Sequence, residues 1–264
     1  MSLAARIQGV GLVGPGLASW SAGRALLTAS EGYEAHPTVI PSPAALPPTE
    51  RRRAGKCVRL SLAAGLEAAA NAGRDAADLV AIFASSTGDG ENLHAICETL
   101  ASEDRLISPT RFHNSVHNAP AGYWGIATGA THAADSVAAF DASFAAGLIE
   151  ALGRLAQDPA QAVLLIAYDA PYPEPLYSAR PVPESFAAAF VLAGDDARAA
   201  GVPIGVAIST EPAGVMDAAP LESLRRTIPA ARALPLLLQL ARGVPGRTVI
   251  EYLDGLTLAI EVGR

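Results

Sequence analysis

The run Ala162-Val-Leu-Leu-Ile-Ala-Tyr168 has no charged or amide side chain over seven positions, and it limits the fold more than any other stretch. A strand with one wet face alternates apolar and polar residues, whereas a continuous apolar run is covered on both faces. Leu79–Ala84 (LVAIFA) and Ala187–Ala193 (AAAFVLA) repeat the pattern. Helical stripes separate these runs. Val58, Leu62, Leu66 and Ala69 form one; Leu93, Ile96, Cys97 and Leu100 a second; Phe144, Leu148, Leu152 and Leu155 a third. Strands alternating with helices predict an α/β fold with a layered sheet.

Punctuation residues set the remaining boundaries. Ile7–Val13 reads as a first strand, broken by Gly14-Pro15-Gly16. Residues 31–49 carry Pro37, Pro41, Pro43, Pro47 and Pro48, so an extended arm is expected there. A helix follows through Asn71 and ends at Gly73. Another is expected from Glu91 to about Ser102, then a loop from Glu103 to Val116. Asn118 is placed to cap the next helix, with Pro120 in its first turn and Gly129 just past its end. Ser136–Phe140 reads as a strand that turns into a helix at Asp141. Ile204–Ser209 reads as a further strand, Leu221–Arg242 as helical, and Asp254-Gly255 as the turn of a final hairpin.

Net charge is −7 over 264 residues, which gives no general basic face for nucleic acid. The exception is the cluster Arg51, Arg52, Arg53, Lys56 and Arg59, either a solvated helix start or a docking patch for an acidic partner. Cys57 and Cys97 lack metal-ligand spacing and read as buried free thiols in a reducing cytoplasm. The N-terminal residues are too glycine-rich for a signal peptide, and no apolar run approaches the roughly 18 residues of a membrane span. A cytoplasmic protein is expected.

The stretch from Ser108 to Leu152 concentrates the chemistry. His113 and His117 stand four residues apart among Asn114, Ser115 and Asn118. They could brace a loop or line a pocket; without a third ligand at metal spacing, no metal is expected. Asp141 sits at the mouth of a helix, where amides and the dipole favour an anion. A Ser143–His–Asp141 hydrolase lacks the G-x-S-x-G elbow. Asp169, ending the apolar run, could sit in a ligand crevice or stabilise a turn before Pro171. The turn Ser85–Gly90 has no phosphate-loop lysine.

The order VAIFASSTG (Val80–Gly88), ISPTRFHNSVHNAPAG (Ile107–Gly122) and SVAAFDAS (Ser136–Ser143) resembles the N-terminal half of a β-ketoacyl synthase, over roughly Ala4 to Ala193. With HNSVHNAPAGYW, AFDASFAAGL and AYDAPYPEPL it is similar to the short chain-length-factor-like proteins of aryl-polyene-type pigment pathways. The resemblance implies a thiolase-like fold, layered α/β/α with a mixed five-stranded core sheet. It implies one thiolase half over residues 1–203, with residues 204–264 as an extension of helix and β-hairpin packed on the same domain. Asp141 takes the position of that family's nucleophilic cysteine, and no histidine follows His132 to serve decarboxylation. A carboxylate is a poor substitute for a thiolate in thioester formation. The resemblance therefore implies a non-condensing accessory subunit, pairing with itself or with a β-ketoacyl synthase through Ser136–Phe140. An acyl chain would arrive on the phosphopantetheine of an acyl carrier protein, with no cofactor of the chain's own. Asn114, Asn118, Phe140, Ser143, Tyr123 and Trp124 are the expected substrate-side residues. The alternatives are an acyl-thioester hydrolase or acyltransferase using Asp141 with His113 or His117, and a plain scaffold.

Overall fold

The computed structural model describes residues 2–29, 32–196 and 198–263; Glu31, the first residue of the expected arm, lies outside them. The first half of the chain runs β1 (Ser2–Val13), α1 (Trp20–Thr28), α2 (Pro48–Arg53), α3 (Lys56–Asn71), β2 (Val80–Ala84), α4 (Gly90–Ala101) and α5 (Pro109–Asn114). Then come α6 (Ala119–Thr128), β3 (Ala134–Val137), α7 (Ser143–Gln157), β4 (Ala162–Asp169), α8 (Leu176–Ala179) and β5 (Phe186–Ala193). The last stretch holds β6 (Val202–Ser209), α9 (Ala219–Thr227), α10 (Leu234–Arg242), β7 (Gly246–Glu251) and β8 (Thr257–Val262).

All strands join one sheet in the order β3-β2-β4-β5-β1-β6-β8-β7. β2 runs parallel to β3 and β4, and every other pairing is antiparallel. The expected five-stranded sheet is thus corrected to eight. The reason lies in β1, whose twelve residues are longer than the Ile7–Val13 run suggested. Its second half pairs with β5, and its first half, from Ser2 to Ile7, offers a further edge that β6 takes.

Side-chain alternation along β4 divides the core into two layers. Val163, Leu165 and Ala167 pack with Phe144 and Leu148 of α7 and with Leu234 and Leu237 of α10. Leu164, Ile166 and Tyr168 pack on the other face with Leu60 and Leu62 of α3 and with Tyr123 and Trp124 of α6. This is the covered strand that its composition requires, in an α/β/α arrangement. Truncating a buried leucine such as Leu165 to alanine costs roughly 2–5 kcal/mol. Helix α3 lies unusually near β1. A Cβ on Gly11 would sit 2.0 Å from the Ala64 carbonyl oxygen, and one on Gly9 2.2 Å from that of Ala68. Only glycine permits this approach.

Three local expectations change. Cys57 is buried as expected, but Cys97 is exposed on α4. The loop expected over Glu103–Val116 contains α5, started by Pro109 in its first turn. Asn118 does stand at the N-cap of α6, but its side chain makes no capping hydrogen bond. Gly129 ends that helix at φ +75° as expected. Among the described residues, no helix is long and apolar enough to cross a membrane.

Candidate functional site

β3 is the edge strand of the sheet, and the chain leaves it through a short 3-10 turn, Phe140–Ala142, into α7. Phe140 holds φ +52°, a left-handed conformation that costs a non-glycine residue roughly 1–2 kcal/mol. Ser143, 1% exposed, fixes the turn: its Oγ donates to the Phe140 carbonyl at 2.7 Å and accepts from the Ala139 amide at 3.0 Å. The phenyl ring is thereby turned outward and is 62% exposed. The Arg180 guanidinium stacks on it, 3.6 Å from the ring centroid.

Asp141 is bonded on both oxygens. Arg180 donates to Oδ1, and Arg232 donates to Oδ2 at 3.0 Å. Arg232 lies in the 3-10 segment Pro229–Ala233, so the elbow is tied to the C-terminal stretch of the chain. The charges then alternate outward: Arg232 faces Glu251 at 3.9 Å, Glu251 pairs with Arg225 at 2.6 Å, and Arg225 pairs with Glu222. Phe140, Asp141, Arg232, Glu251, Leu253 and Leu256 border an open cleft of about 770 Å³.

A second carboxylate lies inward of the first. Asp169 ends β4 and is 1% exposed. Its Oδ1 accepts from the Ser86 amide at 2.9 Å and the Ser85 hydroxyl at 3.2 Å, and its Oδ2 accepts from the Ala230 amide at 2.8 Å. Burial pushes its pKa up to about 6, against the lowering effect of those hydrogen bonds. Tyr172 links the two carboxylates. Its hydroxyl accepts from Arg180 at 3.0 Å and Thr87 at 2.9 Å, and shares a 2.7 Å hydrogen bond with Ser86. One donor and two acceptor positions account for all three contacts.

The histidines do not join Asp141. His113 is on α5, exposed, with its ring edge-on to Tyr123 at 6.0 Å between centroids. His117 sets Nε2 3.3 Å from the Ser85 carbonyl oxygen. Asn114 braces the interior: its amide donates to the Arg53 carbonyl at 2.8 Å and its Oδ1 accepts from Tyr123 at 3.2 Å. Tyr123 and Trp124 are 1% and 2% exposed within the core, and Asn118 is exposed. Sequence reasoning missed Arg180, Arg232 and Tyr172. No local pattern marks them, because their contacts with Asp141 and Ser86 span 39 to 91 residues. Among the described residues no group of three His, Cys, Asp or Glu could hold a metal.

The basic cluster borders a second cleft, of about 390 Å³, lined by Arg53, Lys56, Arg59 and Arg111 together with Asp89 and Glu91, of which Lys56 and Glu91 pair at 2.9 Å. Burial pushes the pKa of Asp89 up, opposed by the Asn92 amide that it caps. The apolar side chains of Phe112, Val116, Ile126 and Phe140 are exposed, Ile126 on α6 before β3 and Phe140 in the turn after it.

Residues 20–219 match the family described as "Beta-ketoacyl synthase, N-terminal domain". No curated protein matches the chain by sequence. Solved structures give the fold. One, from Xenorhabdus doucetiae, is a ketosynthase (ApeO) in complex with its chain length factor (ApeC): 23% identity, TM-score 0.74, 98% of this chain and 99% of that chain covered. The ishigamide ketosynthase/chain length factor gives 13% identity and TM-score 0.71, with 99% of each chain covered. AntDE:AntF, a type II PKS acyl-carrier protein in complex with its ketosynthase, gives 12% identity and TM-score 0.77, with 100% and 99% covered. The fold is therefore thiolase-like.

Proposed function

The chain belongs to the β-ketoacyl synthase family, N-terminal domain, and from that premise we propose that it is a non-condensing accessory subunit in acyl-chain assembly of the fatty-acid/polyketide, aryl-polyene type. The observation that carries this is the elbow. The position at which the resemblance expects a cysteine holds Asp141, with one oxygen bonded to Arg180 and the other to Arg232. A covalent acyl-enzyme intermediate needs a thiolate or an activated hydroxyl, and this carboxylate is committed to two cations. His113 and His117 make their contacts elsewhere, so the acid–base pair of a hydrolase is not assembled.

The partner is a condensing enzyme or a second copy, docked at β3. That edge strand is short and uncovered on one side, and exposed Ile126 and Phe140 flank it. Pairing there would extend the sheet across two chains and bury the phenyl ring as an anchor. The acyl group would remain on the phosphopantetheine of an acyl carrier protein, whose acidic surface suits Arg51, Arg52, Arg53 and Lys56 around the start of α3.

The test is the consumption of an acyl-carrier-protein thioester, followed by intact mass. The purified chain alone should release no acyl group and carry no adduct, while adding the synthase should form a complex whose product differs from that of the synthase alone. Acyl release by the chain alone, lost in Asp141→Asn and His113→Ala, would replace this reading with that of a thioester enzyme.

A further inference from the structure

The proline-rich arm takes no part in the elbow, yet it is fixed at both ends. Thr38 donates from Oγ1 to the Ser185 carbonyl at 2.8 Å. At the other end Arg51 donates to the carbonyls of Ala44 and Leu46, at 2.9 and 3.0 Å. Pro41 and Pro43 stiffen the span between these anchors, and a stiff span does not collapse onto what lies beneath it. Beneath it is one stripe of α3, Arg59, Leu62, Ala63, Leu66 and Glu67, spaced as consecutive turns of a single helix face. The space enclosed with Val13, Pro41 and Pro43 is about 350 Å³, at the small end of ligand cavities.

The two ends of this groove differ. At one end Glu67 has both oxygens occupied by backbone amides, those of Leu12 at 2.8 Å and Trp20 at 2.7 Å. At the other end the Arg59 side chain has no hydrogen bond or ion pair among the described residues, and its Nε is buried without a partner. An orphaned buried guanidinium nitrogen is costly, and guanidinium geometry suits a carboxylate. Arg59 to Glu67 spans about 12 Å along the helix at 1.5 Å per residue. We infer that the groove under the arm is a binding site for a medium-chain monocarboxylate, its head group on Arg59 and its alkyl chain along Leu62, Ala63 and Leu66. The free cation at one end and the satisfied acid at the other favour a monoanion over a zwitterion. None of the residues lining the cleft at the elbow lines this groove.

Calorimetric titration of the full chain with decanoate, with decanol as the uncharged control, tests this. Decanoate should bind with one-to-one saturation below about 1 mM, and decanol at least about tenfold more weakly. Arg59→Gln should weaken decanoate by about tenfold and leave decanol unchanged. Ala63→Phe, which fills the groove while leaving the charge in place, should remove both. Circular dichroism confirms that each variant is folded. No saturable binding by the wild type, or binding that survives both substitutions, overturns the assignment.

Discussion

Asp141 and Asp169 stand at the carboxyl ends of two strands of the same sheet, joined through Arg180, Tyr172 and Ser86, yet they are opposites. Asp141 is partly open to solvent and held by two cations from distant segments. Asp169 is closed off and held only by neutral donors, two amides and a hydroxyl. Cations compensate the charge of the first; no cation hydrogen-bonds the second, so burial dominates and its pKa rises to about 6. Residue type and strand position do not fix what a carboxylate can do; the charge of its donors and the water around it do. The outer one reads as a clamp, the inner one as a keystone between the turn after β2 and the segment before α10.

The largest effect should follow from removing the keystone. Asp169→Leu strands the Ser86 and Ala230 amides in the interior and should cost about 3–5 kcal/mol in urea unfolding. A cost under about 1 kcal/mol would erase the distinction between the two sites.

The next largest effect should be the pH dependence carried by the inner carboxylate. Asp169 has its folded pKa raised from 3.8 to about 6, so the folded state binds its proton more tightly than the unfolded state. Its stabilising contribution is fully present below about pH 4 and is lost as pH rises through about 6. The swing is about 3 kcal/mol, against the usual direction for an aspartate. It should be read as the wild-type minus Asp169→Asn difference in unfolding free energy across that window.

Phe140→Ala should leave the fold intact but weaken binding of a synthase partner by about 10- to 100-fold, as expected of an aromatic anchor. Equal affinity in both proteins would remove the elbow from the interface. The smallest effect belongs to the clamp. A double-mutant cycle over Asp141→Asn and Arg232→Gln should give a coupling of about 0.5–1 kcal/mol, because the carboxylate is well exposed.

How much of this was legible depended on the range of the interaction involved. The seven apolar residues of β4 announced a strand covered on both faces, and Phe144, Leu148, Leu152 and Leu155 announced α7, because both are read from local periodicity. The order of motifs gave the fold. α5 stayed hidden because six residues are too few for a helical stripe to show. The strand over Ile204–Ser209 and the final hairpin were legible, but their place in the same sheet was not, because nothing local tells β1 that it will pair on both sides. Asp141 was picked out by its place at a strand-to-helix turn, but its two arginines are invisible without the fold. Asp169 carried a signal that local reading undervalued. Ala84 pairs with Ala167, so Ser86 comes level with Asp169 once β2 and β4 are placed in parallel.

The central position of β1 also bears on how the chain comes into being. It leaves the ribosome ahead of the other described strands of this sheet, and its neighbours begin only at Phe186 and Val202. At 5–20 residues per second, this long strand waits roughly 10–40 s before either partner exists. Helix α3 is made much earlier and packs directly on Gly9 and Gly11, so it can shelter one face of β1 during that interval. The glycines that let helix and strand approach would then matter during synthesis as well as in the finished molecule.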